Sequence, residues 1–340
     1  MRAIRLHAFG PPENLRLEEV PDPEPGPGEV GIAVVAAGVH LLDAALRAGR
    51  AGGFPLPELP TVPGREVAGT VDAVGSGVPE RWLGRRVVAH LGMVPGGYAE
   101  RAVTAVERLH ELPADLPEDR AVALVGTGRT AAGILRLAAP GPSDTVLVAA
   151  AAGGIGSLLV GAARERGARV VGTAGGAAKV AMVRDLGADP AVDYTVPGWT
   201  DTVREALGGD RPVTVVCEGL GGEVARQALG LLAPGGRHLA YGWAATGFDG
   251  HGAIGPEEAE RVAPGAVSRW VTGSALTEPV GGSNPVRTLE EEALTLAAEG
   301  VFRPPVTSFP LVEAARAHAA LEGRATTGKV VLLPRGPVSS

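Results

Sequence analysis

The pattern of hydrophobic and polar positions changes near residue 124 of the chain. Before that point, short apolar runs at 30–35, 67–71 and 86–89 are separated by turns rich in glycine and proline. Short apolar runs bounded by such turns are typical of antiparallel strands. We therefore expect residues 1–123 to form a loop-rich β domain.

From residue 124 onward, runs of strand length alternate with runs of helical periodicity. The predicted strands are 146–149, 169–173, 191–194, 213–217, 237–241 and 267–271. The predicted helices between them are 155–166, 177–186, 200–207 and 223–232. This alternation is typical of βαβ units, whose parallel sheet carries helices on both faces. It predicts an α/β fold with a doubly wound parallel sheet of the Rossmann type.

The C-terminal part of the chain returns to the pattern of the first region. Helices are predicted at 288–299 and 314–321, and a last strand at 329–333. We expect this tail to fold back onto the N-terminal domain. The predicted domains are therefore residues 1–123 together with 276–340, and residues 124–275 between them.

Composition narrows the classes of function. The chain has 31 Lys and Arg against 38 Asp and Glu, so it lacks the basic footprint of a nucleic-acid binder. Its one cysteine, Cys217, cannot form an internal disulfide or a multi-thiolate zinc site, which favours a reducing cytoplasm. Neither a signal peptide nor an apolar run of about 18 residues is present, which predicts no membrane span.

The strongest chemical signal follows the strand predicted at 146–149. There the chain runs into the sequence Ala151-x-Gly153-x-x-Gly156 and then into a helix, the context of a dinucleotide-binding loop. In such a loop Gly153 lets the backbone approach a pyrophosphate, and Gly156 lets the helix pack on the strand. The alternative is a flexible turn in a chain rich in alanine and glycine. The predicted cofactor contacts here are Ala151, Gly153, Gly154, Ile155 and Gly156.

The end of the strand predicted at 169–173 bears on the choice between NAD and NADP. An NAD site usually places an acid there, on the ribose 2′-hydroxyl. Here the strand ends with Thr173 and small neutral residues, which leave room for a 2′-phosphate. The ammonium group of Lys179 is a plausible phosphate partner, and its alternative is a solvated helix residue. We therefore predict NADPH as the cofactor.

Ordered motifs along the whole chain resemble a known family. They are Ala36-Ala-Gly-Val-His-Leu-Leu-Asp43, Pro63-Gly-Arg-Glu-Val-Ala-Gly69, Gly97-Tyr-Ala-Glu100, Gly126-Thr-Gly-Arg-Thr-Ala131 and Gly328-Lys-Val-Val331, together with the glycine loop. This set resembles the zinc-independent quinone oxidoreductase branch of the medium-chain dehydrogenase/reductase superfamily. The resemblance implies a GroES-like catalytic domain formed from both chain ends, a Rossmann domain between them, a cleft that separates the two, and a homodimer.

The resemblance also implies an activity and further site residues. Members of this branch reduce quinones or activated C=C bonds of small molecules with NADPH. By that resemblance Thr130 lies near the nicotinamide end of the cofactor and Tyr194 near the adenosine end. Tyr241 and Gly242 border the nicotinamide, and Lys329 is counted among the cofactor-binding residues.

Two side chains are candidate catalytic groups. Reduction of a quinone or enone puts negative charge on the carbonyl oxygen, so a hydrogen-bond donor there lowers the barrier. His40 stands where many family members carry asparagine, and it is either such a donor or a hydrogen-bonded loop histidine. Tyr241 is either a donor or an aromatic lid on the nicotinamide ring. Ala45 replaces a tyrosine often found in the family, which departs from the quinone reductase pattern.

Two alternatives to a zinc-independent reductase come from the same residues. The zinc-dependent branch needs a cysteine near position 40 and a His-Glu pair near position 65. His40, Glu66 and His90 can formally supply three ligands, but we predict no metal. The other alternative is an NADPH-binding sensor or structural protein that has lost catalysis, which the changes at His40 and Ala45 motivate.

Three further groups receive structural predictions. Asp43 is expected to cap a helix that begins at Ala44. Arg65 and Glu66 are expected to form a polar pair beneath the cleft. Tyr98 is expected to pack between the two domains.

Overall fold

The computed structural model describes residues 1–50, 54–242 and 254–335. The chain separates into two compact units. Unit 1 comprises Met1–Thr127 and the chain from Pro304 onward, and unit 2 comprises Gly128–Arg303. The predicted boundaries after residues 123 and 275 both fall earlier in the chain than the observed boundaries after Thr127 and Arg303.

The described residues form strands and helices numbered in chain order. The strands are β1 (Arg2–Leu6), β2 (Leu15–Glu19), β3 (Glu29–Val39), β4 (Glu66–Val74), β5 (Arg86–His90), β6 (Arg101–Ala105), β7 (Leu109–Glu111), β8 (Thr145–Val148), β9 (Arg169–Ala174), β10 (Ala191–Asp193), β11 (Val213–Glu218), β12 (Leu232–Ala240), β13 (Val267–Trp270), β14 (Val306–Pro310) and β15 (Lys329–Leu333). The α-helices are α1 (Leu41–Arg47), α2 (Glu118–Ala121), α3 (Arg129–Ala138), α4 (Gly154–Glu165), α5 (Ala177–Asp185), α6 (Trp199–Leu207), α7 (Gly222–Leu229), α8 (Pro256–Val262), α9 (Ser274–Thr277), α10 (Pro285–Ala298) and α11 (Ala314–Glu322).

Unit 1 is built on a seven-stranded sheet. Six of its strands follow the order β14-β15-β3-β4-β5-β7, and β6 also pairs with β3. Strands β3 to β7 pair antiparallel, as the turn-rich pattern predicts. The last strand, β15, pairs antiparallel with β3, with Val331 opposite Gly38. The C-terminal tail therefore does fold back onto the N-terminal part of the chain.

The sheet of unit 2 confirms the predicted Rossmann topology. Its six strands are parallel and follow the order β10-β9-β8-β11-β12-β13. Counted within the unit, this is the doubly wound order 3-2-1-4-5-6, and the winding direction reverses between β8 and β11. In such sheets ligands bind beyond the carboxyl ends of the strands at this switch point.

The second domain boundary differs from the prediction because of α10. The guanidinium of Arg129 on α3 lies 2.9 Å from the carboxylate of Glu290 on α10, and a second pair joins Arg136 to Glu292 at 2.5 Å. Leu289 of α10 is fully buried. The periodicity of 288–299 predicted a helix correctly, but it does not reveal which domain the helix packs against.

Helix α1 begins at Leu41, three residues before the predicted start at Ala44. Asp43 therefore lies inside the first turn and is not the cap residue. Its Oδ2 accepts a hydrogen bond at 2.8 Å from the backbone N–H of His40, the residue that precedes the helix. The carboxylate still stabilises the start of the helix, and it fixes the backbone of His40 as it does so.

One helical stretch of the described residues, Glu118–Ala138, is long and apolar enough to cross a membrane by length and composition alone. Of its apolar window, 78% is buried within the protein. Buried core helices commonly pass the same test, so the stretch is weak evidence for a membrane span.

Candidate active site

The predicted dinucleotide loop joins β8 to α4 at the carboxyl edge of the unit 2 sheet. Helix α4 begins at Gly154, and Gly153 before it has an extended backbone. The N–H of Ser157 donates to the carbonyl of Gly153 at 3.0 Å, which is the first bond of the helix. The earlier N–H groups of this turn, including those of Gly154, Ile155 and Gly156, are not used by the helix itself, so they fit a phosphate group.

Close packing makes Gly156 necessary in this loop. A Cβ at Gly156 would overlap the carbonyl oxygen of Ala150 and lie 2.8 Å from Cα of Ala151. A Cβ at Gly153 would lie 3.2 Å from the same oxygen, and a small shift of the neighbouring backbone would relieve this close contact. The tight approach of helix to strand thus depends on Gly156, which is the role that the sequence pattern predicts for it.

The carboxyl ends of β9 and β10 lie next to this loop. The N–H of Ala151 donates to the carbonyl of Thr173 at 2.9 Å. The hydroxyl of Tyr194 stands against Gly175, where an added Cβ would lie 3.0 Å from it. Lys179 lies in the first turn of α5. The structure therefore brings Thr173, Tyr194 and the glycine loop to one edge of the sheet.

Tyr241 and Gly242 follow β12 and reach the switch point between β8 and β11. The N–H of Tyr241 donates to the carbonyl of Glu218 at 2.8 Å, and its hydroxyl lies 3.4 Å from the carbonyl oxygen of Ala149. A Cβ on Gly219 would lie 2.6 Å from the Tyr241 ring, and one on Gly242 would lie 2.8 Å from the carbonyl of Gly219. Burial raises the pKa of Tyr241 well above its usual value, so its hydroxyl stays neutral.

Sequence reasoning missed a buried carboxyl at the end of β11. Glu218 is fully buried, and its Oε1 accepts hydrogen bonds from the N–H groups of Leu220 and Gly221. Burial raises the pKa of Glu218 to about 7, although these two N–H groups act in the opposite direction. The signal in the sequence is an acid that directly follows the apolar run 213–217.

Two buried polar atoms next to the glycine loop lack hydrogen-bond partners within the described part of the chain. They are Oε2 of Glu218 and Oγ1 of Thr173. Strands β9 and β11 flank β8, so both atoms lie near the carboxyl edge where the loop begins. Because buried polar groups normally have partners, these atoms fit a polar ligand at the switch point. The residues of unit 2 therefore fit a dinucleotide.

In unit 1, three side chains from distant parts of the sequence form one buried cluster. Oε1 of Glu66 lies 2.7 Å from Nε2 of His40, and Oε2 of Glu66 lies 2.7 Å from Nζ of Lys329. Nζ of Lys329 is also 2.7 Å from Nε2 of His40. Glu66 is 0% exposed and the Lys329 side chain 3%, whereas 25% of the His40 side chain is exposed.

Electrostatics keep Glu66 and Lys329 charged despite their burial. Burial raises the pKa of Glu66, but its interactions with His40 and Lys329 outweigh this effect and hold the pKa of Glu66 well below its usual range. Burial lowers the pKa of Lys329, and the Glu66 carboxylate acts against this shift. Each charge is therefore stabilised by the other, as a buried ion pair requires.

The cluster orients the imidazole of His40. The contact of Nε2 with Lys329 has hydrogen-bond geometry, and Nε2 accepts in it because an ammonium group only donates. Oε1 of Glu66 lies close to Nε2 without such geometry. When Nε2 accepts, the ring proton is on Nδ1, and the ring carries an N–H donor on its other edge. His40 is thus an oriented hydrogen-bonding group with a partly exposed ring, and its action on a substrate stays a prediction.

Two glycines of the family motifs make room for this cluster. A Cβ on Gly38 would overlap Oε2 of Glu66 and lie 3.0 Å from Cε of Lys329. A Cβ on Gly126 would overlap Oε1 of Glu66 and lie 3.1 Å from Cε1 of His40. Gly126 lies in a π-helical segment, Leu124–Gly128, a geometry that is frequent at functional sites.

The predicted pair of Arg65 and Glu66 is wrong. Nε of Arg65 lies 3.3 Å from Oδ1 of Asp43, whereas Glu66 contacts Lys329 and His40. Consecutive residues of an extended chain point to opposite sides, which explains why Arg65 and Glu66 do not pair with each other. The same rule, applied to the sequence, would have predicted different partners for the side chains of Arg65 and Glu66.

The structure also locates three other positions that the sequence singled out, Tyr98, Lys329 and Thr130. Tyr98 is fully buried within unit 1, where its hydroxyl lies 3.1 Å from Nε2 of His318, so the prediction that it packs between the domains is wrong. The side chain is drawn inward because Gly64 leaves space for its ring. Lys329, predicted to bind the cofactor, uses its ammonium on Glu66 and His40, and direct contact with a cofactor stays a prediction. Thr130 lies half-buried in the first turn of α3.

The Lys329 ammonium competes with a zinc ion for the formal ligands of unit 1. Across residues 1–50, 54–242 and 254–335, no group of three or more His, Cys, Asp or Glu side chains is arranged to hold a metal. In the formal set of His40, Glu66 and His90, the Lys329 ammonium already contacts one donor atom of His40 and one of Glu66. Cys217 is buried, which raises its pKa to about 12 and keeps it a thiol.

Comparisons with known proteins cover both units. The alcohol dehydrogenase GroES-like domain family matches residues 26–114, and the zinc-binding dehydrogenase family matches residues 186–332. A 2-haloacrylate reductase of Burkholderia sp. is 34% identical over 98% of this chain and 99% of its own length. A quinone oxidoreductase of Pseudomonas aeruginosa is 32% identical over 98% of this chain and 99% of its own.

Solved structures are similar along the same length. The Escherichia coli quinone oxidoreductase in complex with NADPH has a TM-score of 0.83 at 28% identity, covering 98% of this chain and 100% of that one. An NAD-dependent alcohol dehydrogenase has a TM-score of 0.82 at 31% identity, covering 98% and 99%. The chain therefore belongs to the medium-chain dehydrogenase/reductase superfamily, in its quinone oxidoreductase-like branch, and is an NAD(P)-dependent oxidoreductase.

Proposed function

We propose that this enzyme reduces quinones or α,β-unsaturated carbonyl compounds with NADPH and without zinc. The observation that carries the proposal is the orientation of the partly exposed His40 ring by the buried pair of Glu66 and Lys329. Among the proteins named above, the 2-haloacrylate reductase and the quinone oxidoreductases have names that point to molecules of this kind, since haloacrylates and quinones both carry a C=C bond conjugated to a carbonyl group.

The proposed reaction adds a hydride and a proton to the substrate. Reduced nicotinamide held by the residues of unit 2 would supply the hydride and become oxidised, and solvent would supply the proton that completes the reduction. Negative charge then develops on the carbonyl oxygen of the substrate, and an N–H of His40 donates a hydrogen bond to it. Glu66 and Lys329 hold the ring in one orientation, so little reorganisation is needed as the charge develops.

The choice of NADPH follows from the small, neutral end of β9 and from Lys179. Strand β9 ends with Thr173 and Ala174 and carries no acid there, and Lys179 lies in the first turn of the helix that follows. An ammonium group on that turn would favour a 2′-phosphate. The absence of zinc from the proposal follows from Lys329, whose ammonium contacts one donor atom of His40 and one of Glu66.

The experiment compares His40→Ala with wild type, using NADPH labelled with deuterium at C4. The substrates are a benzoquinone, an enone and a 2-haloacrylate. We expect label in at least one product and a fall in kcat/KM of about 100-fold in the variant. The Kd for NADPH, measured by fluorescence, should change less than about twofold, because His40 acts on the substrate.

His7→Ala is the matched control, since His7 is an exposed histidine that pairs with Glu18 in the same unit. It should leave both kcat/KM and Kd unchanged. No label in any product would remove the proposed activity, and NADPH binding without turnover would instead favour the sensor alternative. Unchanged kcat/KM in His40→Ala would remove the proposed role of His40.

A further inference from the structure

In the sheet of unit 2, strand β10 ends with an acid, whereas the neighbouring strand β9 does not. Parallel pairing aligns Asp193, at the end of β10, with Ala174, at the end of β9. Oδ2 of Asp193 accepts a hydrogen bond at 3.0 Å from the N–H of Gly176, in the turn between β9 and α5. The carboxylate therefore lies at the turn where a dinucleotide fold usually places its ribose-binding acid.

Asp193 and Tyr194 reach this turn from adjacent positions. The hydroxyl of Tyr194 stands against Gly175, and the carboxylate of Asp193 binds Gly176. The two side chains therefore contact consecutive residues of the same turn. A coenzyme whose pyrophosphate lies on the glycine loop would bring its adenosine ribose to this edge of the sheet.

The Asp193 carboxylate is charged and keeps some hydrogen-bonding capacity. Its Oδ1 accepts from the hydroxyl of Thr195 at 2.6 Å and from the N–H of Thr195 at 2.9 Å. These bonds, followed by the one from Gly176, hold the pKa of Asp193 below its usual value. Three donors use three of the roughly four acceptor positions of a carboxylate, so about one remains for another hydroxyl.

We propose that Asp193 limits the preference of this enzyme for NADPH. Its carboxylate accepts a hydrogen bond from the ribose 2′-hydroxyl of NAD(H) and repels the 2′-phosphate of NADP(H). Lys179 acts in the opposite direction, so the balance between the two charges sets the discrimination. This inference rests on the proposed function, because it concerns the same coenzyme site.

The test is Asp193→Asn, which keeps an oxygen for Gly176 and removes the charge. The Kd values of NAD+ and NADP+ are measured by calorimetry, together with those of AMP and adenosine 2′,5′-bisphosphate. We expect the preference for the phosphorylated member of each pair to rise about tenfold, the scale of one nearby charge in partly aqueous surroundings. The gain should shrink between about 0.05 M and about 0.5 M salt, because salt screens the repulsion.

Asp210→Asn is the matched control. Asp210 is exposed and precedes β11, so the substitution Asp210→Asn removes the same charge at the opposite, amino edge of the sheet. The ratio of the Kd values of NAD+ and NADP+ in Asp210→Asn should equal that of wild type. Asp193→Ser, which also lacks the charge, should show the same rise as Asp193→Asn.

Two outcomes would overturn the inference. The first is an unchanged ratio of the Kd values of NAD+ and NADP+ in both Asp193 variants. The second is an equal loss of affinity for both coenzymes, because that loss would show that Asp193 only holds the Gly176 turn. These results differ from failure of the proposed function, in which wild-type protein would transfer no label from NADPH to any substrate, whatever its Kd values for the two coenzymes.

Discussion

Units 1 and 2 place their polar chemistry in different parts of their folds. In unit 1, charged groups are buried together beneath the partly exposed His40, and each of them depends on a partner from a distant strand. In unit 2, the polar groups that fit a ligand lie at the carboxyl ends of parallel strands, next to the N–H groups of a helix end. Side chains carry the site in unit 1, and the backbone carries much of it in unit 2.

This difference has an energetic consequence. A buried ion pair stabilises a fold only while both partners are present, because a lone buried charge is strongly unfavourable. A helix end offers its N–H groups whatever its side chains are, provided that the chain can pack closely there. Unit 1 is therefore sensitive to loss of single charges, and unit 2 is sensitive to added volume.

The largest expected effect breaks the charge cluster of unit 1. Lys329→Met leaves the Glu66 carboxylate buried without its ammonium partner, so we expect the free energy of unfolding to fall by about 3–5 kcal/mol. Urea denaturation measures this change. The double variant Glu66→Gln/Lys329→Met should recover most of the loss, because no charge then remains unpaired. A loss under about 1 kcal/mol in the single variant would contradict a strongly coupled pair.

The next prediction concerns the pH dependence of stability through Glu218 of unit 2. Its pKa is about 7 in the folded protein, against a usual value of 4.5 that applies to the unfolded chain. Between these values the folded state holds a proton that the unfolded state has lost. Stability therefore falls as the pH rises through this window, and above it the full cost of about 3 kcal/mol remains.

Glu218→Gln should remove this cost. We expect the variant to be up to about 3 kcal/mol more stable than wild type near pH 8 and similar to it near pH 4. Denaturation in urea at several pH values measures the difference. Glu205→Gln, at an exposed position on α6, is the control and should show no such dependence. An equal effect of Glu218→Gln at both pH values would contradict the assignment.

The smallest effect compares two glycines of the same loop. Gly156→Ala forces an overlap with backbone atoms, so we expect a loss of about 1–3 kcal/mol in unfolding free energy. Gly153→Ala requires only a small shift and should cost less than about 1 kcal/mol. Thermal denaturation ranks the two variants. The reverse order would show that packing is not what makes Gly156 necessary.

Local pattern predicted most of unit 2 well but missed one of its strand starts. The predicted strands and helices coincide with β8, β9, β11, α4 and α5 to within one residue at each end. Strand β12 begins at Leu232, five residues before the predicted start at 237. The pairing of β11 with β12 shifts register between Val213 and Val215, so β12 carries an irregular stretch that period-two alternation does not show.

The candidate site of unit 1 was predicted only in part. His40 was selected for its position in a motif, and the structure places it in an oriented cluster. Glu66 was assigned the wrong partner, because its true partner Lys329 is 263 positions away along the chain. Nothing in the spacing of the sequence relates these two residues until β15 is placed beside β3 and β4 beside β3.

The alternation of strands and helices, the glycine loop and each family motif could be predicted from the chain alone, because each is encoded in residues that are close in sequence. The partners of the charged groups emerged only in the folded chain, where Glu66 meets Lys329, Asp43 meets Arg65, and Asp193 accepts from the N–H of Gly176. The tertiary structure also decided that α10 packs within unit 2. The physical reason is that periodicity is a local property, whereas the partners of a buried charge depend on strand order and register across the whole fold.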